Sequence, residues 1–392
     1  MQVTIQCRPR CKRLLARLLL LVPLIALPAC ESLGYYKQAV VGHLSLLHQA
    51  RPIEQLLSKP QLADSELANK LGLVQQLRAF ARDELGLPVG RAYSRYVELE
   101  RDYVVWNVFA SEEFSVQPKR WCFPIAGCVA YRGYFSLAQA QKKAAALKRE
   151  GFDTHVGGAA AYSTLGWTAD PVLSTFVQRD EVTLASLLFH ELSHRLVYVK
   201  GDTEFNESLA STIETYGLER WLAQRSDTED VQALRQQLVQ RQQKKAIQRA
   251  FTDAVAKTRE ALGELYQRPL NDTDKRIGKL IILDSLRKRV HVIAHATAWA
   301  SAYQKWAVDL NNAKLAPVAL YTRWQNALGW QLAQKLEYAG CTQLPEKLER
   351  DRLRCRQGLE QFFEAARQLA RLGEQARLER LQEWDLLRAS AS

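Results

Sequence analysis

The stretch that decides the fold is FHELSHRLVYVKGDTEFNESLAS, residues 189–211. It contains two of the chain's seven histidines, His190 and His194, and it places Glu191 between them. Four residues make a little more than one helical turn, so both imidazoles point the same way from one helix. Two imidazoles placed like this can bind one Zn²⁺, and Glu191 is placed to take a proton from an attacking water molecule. The stretch therefore predicts a metal-binding helix.

This helix is expected to begin after Asp180, which can cap it, and to run to about Lys200 before Gly201 ends it. The residues around the motif, LASLLFHELSH, are apolar and predict a buried face. A glutamate between two histidines is costly to bury unless a polar group compensates it, and a metal ion would do so. An amphipathic helix that spells HExxH by chance is the alternative, and the predicted burial favours the metal.

A third ligand is expected from the next helix, which Asp202 or Thr203 can cap. A catalytic zinc needs three protein ligands and an open fourth position. The residues after His194, RLVYVK, hold no further histidine, so Glu207 is predicted as the third ligand. Glu214 lies on the same helical stripe and is either a hydrogen-bond partner of a ligand histidine or a solvated acid. One Zn²⁺ per chain is expected.

The rest of the chain predicts an α+β fold, in which a small mixed sheet region precedes a mainly helical lobe that carries the motif. Stretches such as YVVWNVFA, GCVAYRGYFS and FDTHVGGAAAYS are rich in β-branched and aromatic residues and predict strands. A helix is expected between Ser136, as its cap, and Gly151. Four regions follow: a signal peptide (1–29), a helical segment (30–90), a sheet-containing substrate lobe (91–179) and a helical catalytic lobe with long C-terminal helices (180–392).

The N-terminus predicts export and lipid attachment. Residues 1–17 hold five cations and no acid, an apolar run follows, and LPAC ends at Cys30. A basic region, a short apolar region and small residues before a cysteine are typical of a bacterial lipoprotein signal. A signal anchor or a plainly cleaved signal is the alternative. We therefore expect the protein in the bacterial cell envelope, anchored through a lipid at Cys30 and facing the periplasm, with the outer membrane favoured because Glu31 follows the cysteine.

Charge and cysteines agree with an exported protein. Without the five cations of the signal, the chain's 54 basic and 42 acidic residues leave a net charge of +7, so no nucleic-acid partner is expected. Four cysteines remain after Cys30, and proximity in an oxidising compartment favours the pairs Cys122–Cys128 and Cys341–Cys355. Free, buried thiols are the alternative.

Four segments resemble a bacterial family of zinc-dependent aminopeptidases that are predicted lipoproteins. They are WCFPIAGCVAYRGYF, AYSTLGWTADPVLSTF, FHELSHRLVYVKGDTEFNESLASTIETYG and NNAKLAPVALYTRW, and they span about residues 100–330. The resemblance implies a zincin-like fold of the gluzincin type and a peptide substrate. It also implies that His190, His194 and Glu207 bind zinc and that Glu191 acts as the catalytic acid and base.

The same resemblance suggests further site residues. Tyr321, Asn311 and Asn312 are candidate donors to the transition state, with helix packing and capping as their alternative. In gluzincin-like folds an edge strand pairs with the substrate, which Gly157 and Gly158 of HVGGAAAYS would permit; Tyr162 would then line the cleft. A second histidine pair, His291 and His295, has no acid between its members and is expected to serve helix packing.

An aminopeptidase also needs an acid that holds the substrate's free amine. Glu214, Asp170 and Asp180 are the acids near the motif that we nominate, in that order. Two other functions stay open: a zinc endopeptidase, and a non-catalytic envelope scaffold in which the motif binds a structural metal.

Overall fold

The computed structural model describes residues 34–391, except for 63–64, 124–126, 162–167, 226–230, 296, 321–323 and 342–348. The chain divides into two compact units, Met1–Gln49 and Ala50–Ser392. In the first unit the structure describes one helix, α1 (34–49). The predicted signal peptide and Cys30 lie outside the described residues. The expected boundaries near residues 90 and 179 stay predictions.

The second unit is α+β, as the sequence predicts. Its longer helices are α3 (Glu66–Asp83), α4 (Leu137–Arg149), α6 (Glu181–Ser193), α7 (Thr203–Arg225), α8 (Val231–Gln267), α9 (Asp272–Ala294), α12 (Gln325–Tyr338), α13 (Glu349–Arg371) and α14 (Glu374–Ser390). Its short helices are α2 (Ile53–Leu57), α5 (Ser174–Val177), α10 (Ala300–Trp306) and α11 (Asn312–Leu315). None of the helices in the described ranges is long and apolar enough to cross a membrane.

Three small sheets accompany the helices. Their strands are β1 (Arg51–Pro52), β2 (Arg95–Val97), β3 (Val105–Glu112), β4 (Trp121–Phe123), β5 (Gly127–Val129), β6 (Arg132–Tyr134), β7 (Phe152–Ala159) and β8 (Val172–Leu173). The largest has the order β6–β3–β7 with antiparallel pairing throughout, and β7 lies at its edge. In the second, β1 pairs antiparallel and β8 pairs parallel with β2, while β4 and β5 form a hairpin. One short strand, β1, thus lies outside the expected sheet-containing region of 91–179.

Local capping explains where α4 begins and ends. The hydroxyl of Ser136 accepts a hydrogen bond from the backbone N–H of Gln139, which is one of the orphan donors of the first turn. Gly151 follows the helix with φ +89°, a left-handed conformation that favours glycine. The helix packs on β3 and β7. The predicted helix between Ser136 and Gly151 is therefore confirmed.

The motif helix α6 begins as predicted but ends early. Asp180 caps it by accepting from the backbone N–H of Thr183 at 2.8 Å. The helix stops at Ser193, so the prediction that it runs to about Lys200 is wrong. The side-chain amide of Asn206, on α7, donates to the carbonyl of Val199 and accepts from its N–H, both at 2.8 Å. These bonds replace helical partners and hold residues 195–202 as a linker.

Helices α6 and α7 pack closely around a shared aromatic core. An added Cβ on Gly217 of α7 would lie 3.0 Å from a ring carbon of Phe189, so only glycine allows this approach. The ring of Phe80, on α3, lies 5.6 Å from that of Phe189 and 5.2 Å from that of Trp221. Aromatic pairs at such distances add to the free energy gained by burying their surface. This core fixes the two helices that carry the motif residues.

Two disulfides are present, Cys122–Cys128 and Cys341–Cys355. The first joins β4 to β5 at directly paired positions. Arg120 donates from Nη2 both to the carbonyl of Cys128 at 2.9 Å and to that of Gly201 at 3.2 Å. The stapled hairpin is thereby attached to the linker between α6 and α7.

Candidate metal centre

Two adjacent helices bring three potential metal ligands together. His190 lies in the last turn of α6 and His194 is its C-cap residue, while Glu207 lies in the second turn of α7. The ligand atoms of these three residues all lie within 4.8 Å of one another. Within the described part of the chain, this is the group of histidines and acids that could hold a metal ion.

Each histidine contacts one oxygen of the Glu207 carboxylate. Nε2 of His190 lies 3.1 Å from Oε2, and Nε2 of His194 lies 3.6 Å from Oε1. The three side chains are therefore close enough to share one ion. Two imidazole nitrogens and one carboxylate oxygen are also the donor set of known catalytic zinc sites. The residues present therefore fit a zinc ion.

The start of α7 is held from outside, which places Glu207. Asp202 caps this helix by accepting from the backbone N–H of Phe205 at 3.0 Å. The same carboxylate accepts from Nε of Arg377, on α14, at 2.8 Å. The guanidinium of Arg377 also lies 5.7 Å from the ring centroid of Phe205. Because cap and ion pair share one side chain, α14 helps to fix the first turns of α7.

Glu214 is a hydrogen-bond partner of a ligand histidine. Its Oε2 lies 3.2 Å from Nδ1 of His190, while its Oε1 accepts from Nη2 of Arg241, on α8. Carboxylates in this position orient the imidazole and raise its basicity toward the metal. Of the two roles that the sequence allows for Glu214, the structure shows the hydrogen bond and not the solvated acid. In contrast, Nδ1 of His194 is buried and has no hydrogen-bond partner among the described residues.

Glu191 lies between the two histidines in the sequence, and the pKa of its carboxyl is raised. Burial raises the pKa of its carboxyl to about 7; the charge of His190 lowers it and those of Glu207, Asp170 and Glu214 raise it. A general base works best when its pKa lies near the working pH. Glu191 is thus suited to accept and return a proton under ordinary conditions.

The pKa values of the two histidines shift in opposite directions. Burial would lower the pKa of His190, but hydrogen bonds to Glu207 and Glu214 raise it above its ordinary value. Burial, together with the charge of His190, lowers the pKa of His194 to about 4. Burial would raise the pKa of Glu207, but its contacts with both histidines lower it, so this carboxylate is ionised and available as a ligand.

The two asparagines of the predicted site, Asn311 and Asn312, make structural hydrogen bonds. The amide of Asn312 donates to the carbonyls of Glu112 and Glu113, and its oxygen accepts from the hydroxyl of Tyr266. The side chain of Asn311 caps α11 and donates to the carbonyl of Thr154. Because these groups join α11 to β3 and β7, the expectation of a transition-state donor does not match their contacts. Tyr321 lies outside the described residues.

The glycines of β7 are explained partly by packing. A Cβ on Gly158 would lie 2.3 Å from Cγ of Tyr103, so the missing side chain makes room for that ring. A Cβ on Gly157 would meet nothing closer than 3.5 Å. The edge position of β7 agrees with the expected substrate-pairing strand, whereas pairing itself stays a prediction. Tyr162 lies outside the described residues.

The acids nominated to hold an amine are engaged elsewhere. Glu214 contacts His190 and Arg241, and Asp180 binds both the N–H and the hydroxyl of Thr183. Asp170 is only 1% exposed, which leaves its carboxylate out of reach of a ligand in this conformation. None of the three matches the expected amine anchor.

The second histidine pair lies on the surface of α9. His291 and His295 are both exposed, with ring centroids 6.3 Å apart. Nδ1 of His291 lies 3.5 Å from Nε2 of Gln304, on α10, so the expected helix-packing role is limited to a surface contact. They also belong to no group of three potential ligands within the described ranges.

Two residues near the centre were not predicted. Arg241 contacts it through Glu214, and this approach of α8 depends on tertiary packing that no local motif encodes. Tyr198 belongs to the linker, where burial and the charge of Glu207 raise the pKa of its phenol. A tyrosine four residues after the second histidine was the available signal for it.

Fold and site together define an α+β protein with a candidate mononuclear metal centre on two adjacent helices. A family model described as "Putative aminopeptidase" matches residues 34–381, and the chain belongs to this family. Neither a curated protein nor a solved structure matches the chain. The family's description supports a peptidase activity, and the resemblance expected from the sequence is confirmed at this level.

Proposed function

We propose that this protein is a zinc-dependent peptidase with a zincin-like catalytic centre, and that it acts as an aminopeptidase. The observation that carries the proposal is the convergence of His190, His194 and Glu207 within 4.8 Å, beside Glu191, whose pKa burial raises to about 7. The family's description supports the peptidase class and is the reason to propose cleavage at the N-terminus of the substrate.

His190, His194 and Glu207 would hold the ion. When bound, a zinc ion supplies Lewis-acid polarisation of the substrate carbonyl and acidifies water. Glu191 takes a proton from the attacking water and returns it to the leaving amine, so the carboxyl is restored at the end of each turnover. Glu214 keeps the imidazole of His190 oriented through Nδ1.

The peptide substrate would reach this centre along an edge strand. We place it beside β7, the half-buried edge strand of the largest sheet. Because Asn311 already donates to this edge at Thr154, backbone pairing would use the C-terminal half of the strand. A peptide that pairs there would present an extended backbone to the catalytic residues.

A panel of matched peptides with free and acetylated N-termini tests this function. Release of single residues from free N-termini alone supports an aminopeptidase. Equal internal cleavage of acetylated peptides would replace the exopeptidase assignment with an endopeptidase. A protein purified without a histidine tag that holds no zinc and cleaves neither set would favour the non-catalytic scaffold.

The envelope location is proposed on the lipoprotein signal that ends at Cys30. A lipid on this cysteine would anchor the protein with its catalytic unit in the periplasm, and Glu31 favours the outer membrane. Cys30→Ala should block processing or release the protein from the membrane fraction. Unchanged fractionation with an intact N-terminus would instead indicate a signal anchor.

A further inference from the structure

Helix α8 presents a polar stripe toward the metal centre. Gln237, Arg241 and Lys245 follow one another at intervals of four residues, so they share one face of the helix. All three are half-buried, whereas the residues between Arg241 and Lys245 are exposed. Long polar side chains are rarely withdrawn from water unless they meet partners.

Each side chain of this stripe contacts one of the ligand-bearing helices. The oxygen of Gln237 accepts from the backbone N–H of Val182, in the first turn of α6, at 3.4 Å. Nζ of Lys245 donates to the hydroxyl of Thr215, on α7, at 3.2 Å. Arg241 lies between them and pairs with Glu214. The stripe therefore reaches both helices from a third one.

We propose that Arg241 is a positioning residue of the metal centre. Its guanidinium holds one oxygen of Glu214, so that the other oxygen stays on Nδ1 of His190 and Nε2 of this histidine faces the metal. This inference rests on the proposed zinc centre and adds to it a residue that supports a ligand histidine through Glu214.

The contacts favour this role over a general ion pair. The side chains of Arg241, Glu214 and His190 are 16%, 17% and 19% exposed, so water competes little for their hydrogen bonds. A guanidinium offers donors in a fixed plane, which restricts the rotation of the carboxylate more than an ammonium would. Nδ1 of His194 has no partner among the described residues, so His190 is the histidine of the pair whose Nδ1 is held by a carboxylate, and that carboxylate is in turn held by Arg241.

Zinc affinity measured by chelator competition tests the proposal on the full mature chain. Arg241→Met should weaken zinc binding roughly tenfold, the lower end of the effect of removing such supporting contacts. Arg241→Lys keeps the charge but loses the planar donors, and it should weaken binding by about threefold. The matched control is Lys245→Met, which removes a cation and a contact with α7 one turn away; its affinity should stay within about twofold.

A spectroscopic readout separates orientation from packing. The visible absorption of the Co²⁺-substituted protein reports ligand geometry, and it should change in Arg241→Met but not in Lys245→Met. Thermal unfolding of the metal-free variants shows whether each one folds. If Arg241→Met does not fold, the zinc affinity and the spectrum of Arg241→Lys decide the question.

The outcomes are distinct. Wild-type zinc affinity and an unchanged spectrum in Arg241→Lys and in any folded Arg241→Met would overturn the role of Arg241 and leave the zinc centre intact. Equal losses in Arg241→Met and Lys245→Met would also overturn it, because the stripe would then act by packing alone. A wild-type protein that binds no zinc would instead defeat the proposed function itself.

Discussion

Arg377 pairs with Asp202 across 175 residues of sequence, and Asp202 caps the helix that carries Glu207. The side chain of Arg377 is 4% exposed, and it also donates to the carbonyl of Leu372 at 2.8 Å. The C-terminal helix α14 is thereby joined to the first turn of α7. A protein shortened before α14 would lose this support for the third ligand.

Arg377→Met should lower the free energy of unfolding by about 3 kcal/mol, because it leaves the carboxylate of Asp202 without its partner in a mostly buried place. Urea denaturation of the metal-free protein measures this loss. The control is Arg380→Met on the same helix, whose ion pair with Glu383 is 54% exposed on both sides, and it should change stability by less than about 0.5 kcal/mol. Equal midpoints for both variants would contradict the prediction.

The two disulfides should differ in how much they stabilise the chain. They close loops with sequence separations of 6 and 14 residues. Loop-closure entropy predicts losses of about 2 kcal/mol for Cys122→Ser/Cys128→Ser and about 3 kcal/mol for Cys341→Ser/Cys355→Ser. Denaturation of the two double variants without reductant measures both values. The control is the wild-type chain treated with reductant, whose loss of unfolding free energy should not exceed the sum of the losses in the two variants. A larger loss for the Cys122–Cys128 variant than for the Cys341–Cys355 variant would contradict the entropic account.

Acid should destabilise the sheet through His155. Burial, with the charge of Lys314, lowers the pKa of this histidine from 6.5 to about 4. Between these pH values the unfolded chain binds a proton that the folded chain does not, so stability falls as the pH falls and is unaffected above pH 6.5. The full difference amounts to roughly 3 kcal/mol.

His155→Phe should remove this part of the pH dependence while it keeps an aromatic ring stacked on Phe109. Unfolding free energies of both proteins, measured from pH 7.5 to 4, give the comparison. The curves should separate below pH 6.5, with the wild type falling more steeply. Parallel curves would show that His155 is protonated in the folded chain, contrary to its burial.

Local signals in the sequence predicted the parts of the site that depend on local chemistry. Asp180 and Ser136 cap their helices because the side-chain oxygen and the orphan N–H lie three residues apart. The spacing of His190 and His194 likewise follows from helical geometry alone. The two histidines lie side by side for this reason, whereas Glu207 joins them through the packing of α7 on α6.

Contacts between distant residues could not be predicted in the same way. The early end of α6 depends on Asn206, which binds the backbone of Val199 only when the linker folds back. Arg241 reaches Glu214 because α8 packs against α6, and the amide of Asn312 donates to the backbone carbonyl of Glu112, 200 residues away. Each of these outcomes is decided by tertiary packing, which overrides local preference.

Substitutions at the metal centre should separate binding from chemistry. His190→Ala or His194→Ala removes one of three ligands, so the variant should retain little zinc at equimolar concentration, as measured by elemental analysis after dialysis.

Glu191→Gln should retain about one zinc per chain, because Glu191 is not a ligand in the proposed centre. It should lower kcat by at least about 10²-fold, since an amide cannot accept the proton from water. Ser211→Ala, on the same stripe of α7 as Glu207, is the control and should keep both zinc and activity. Hydrolysis at the wild-type rate by a zinc-loaded Glu191→Gln would remove Glu191 from the role of general base.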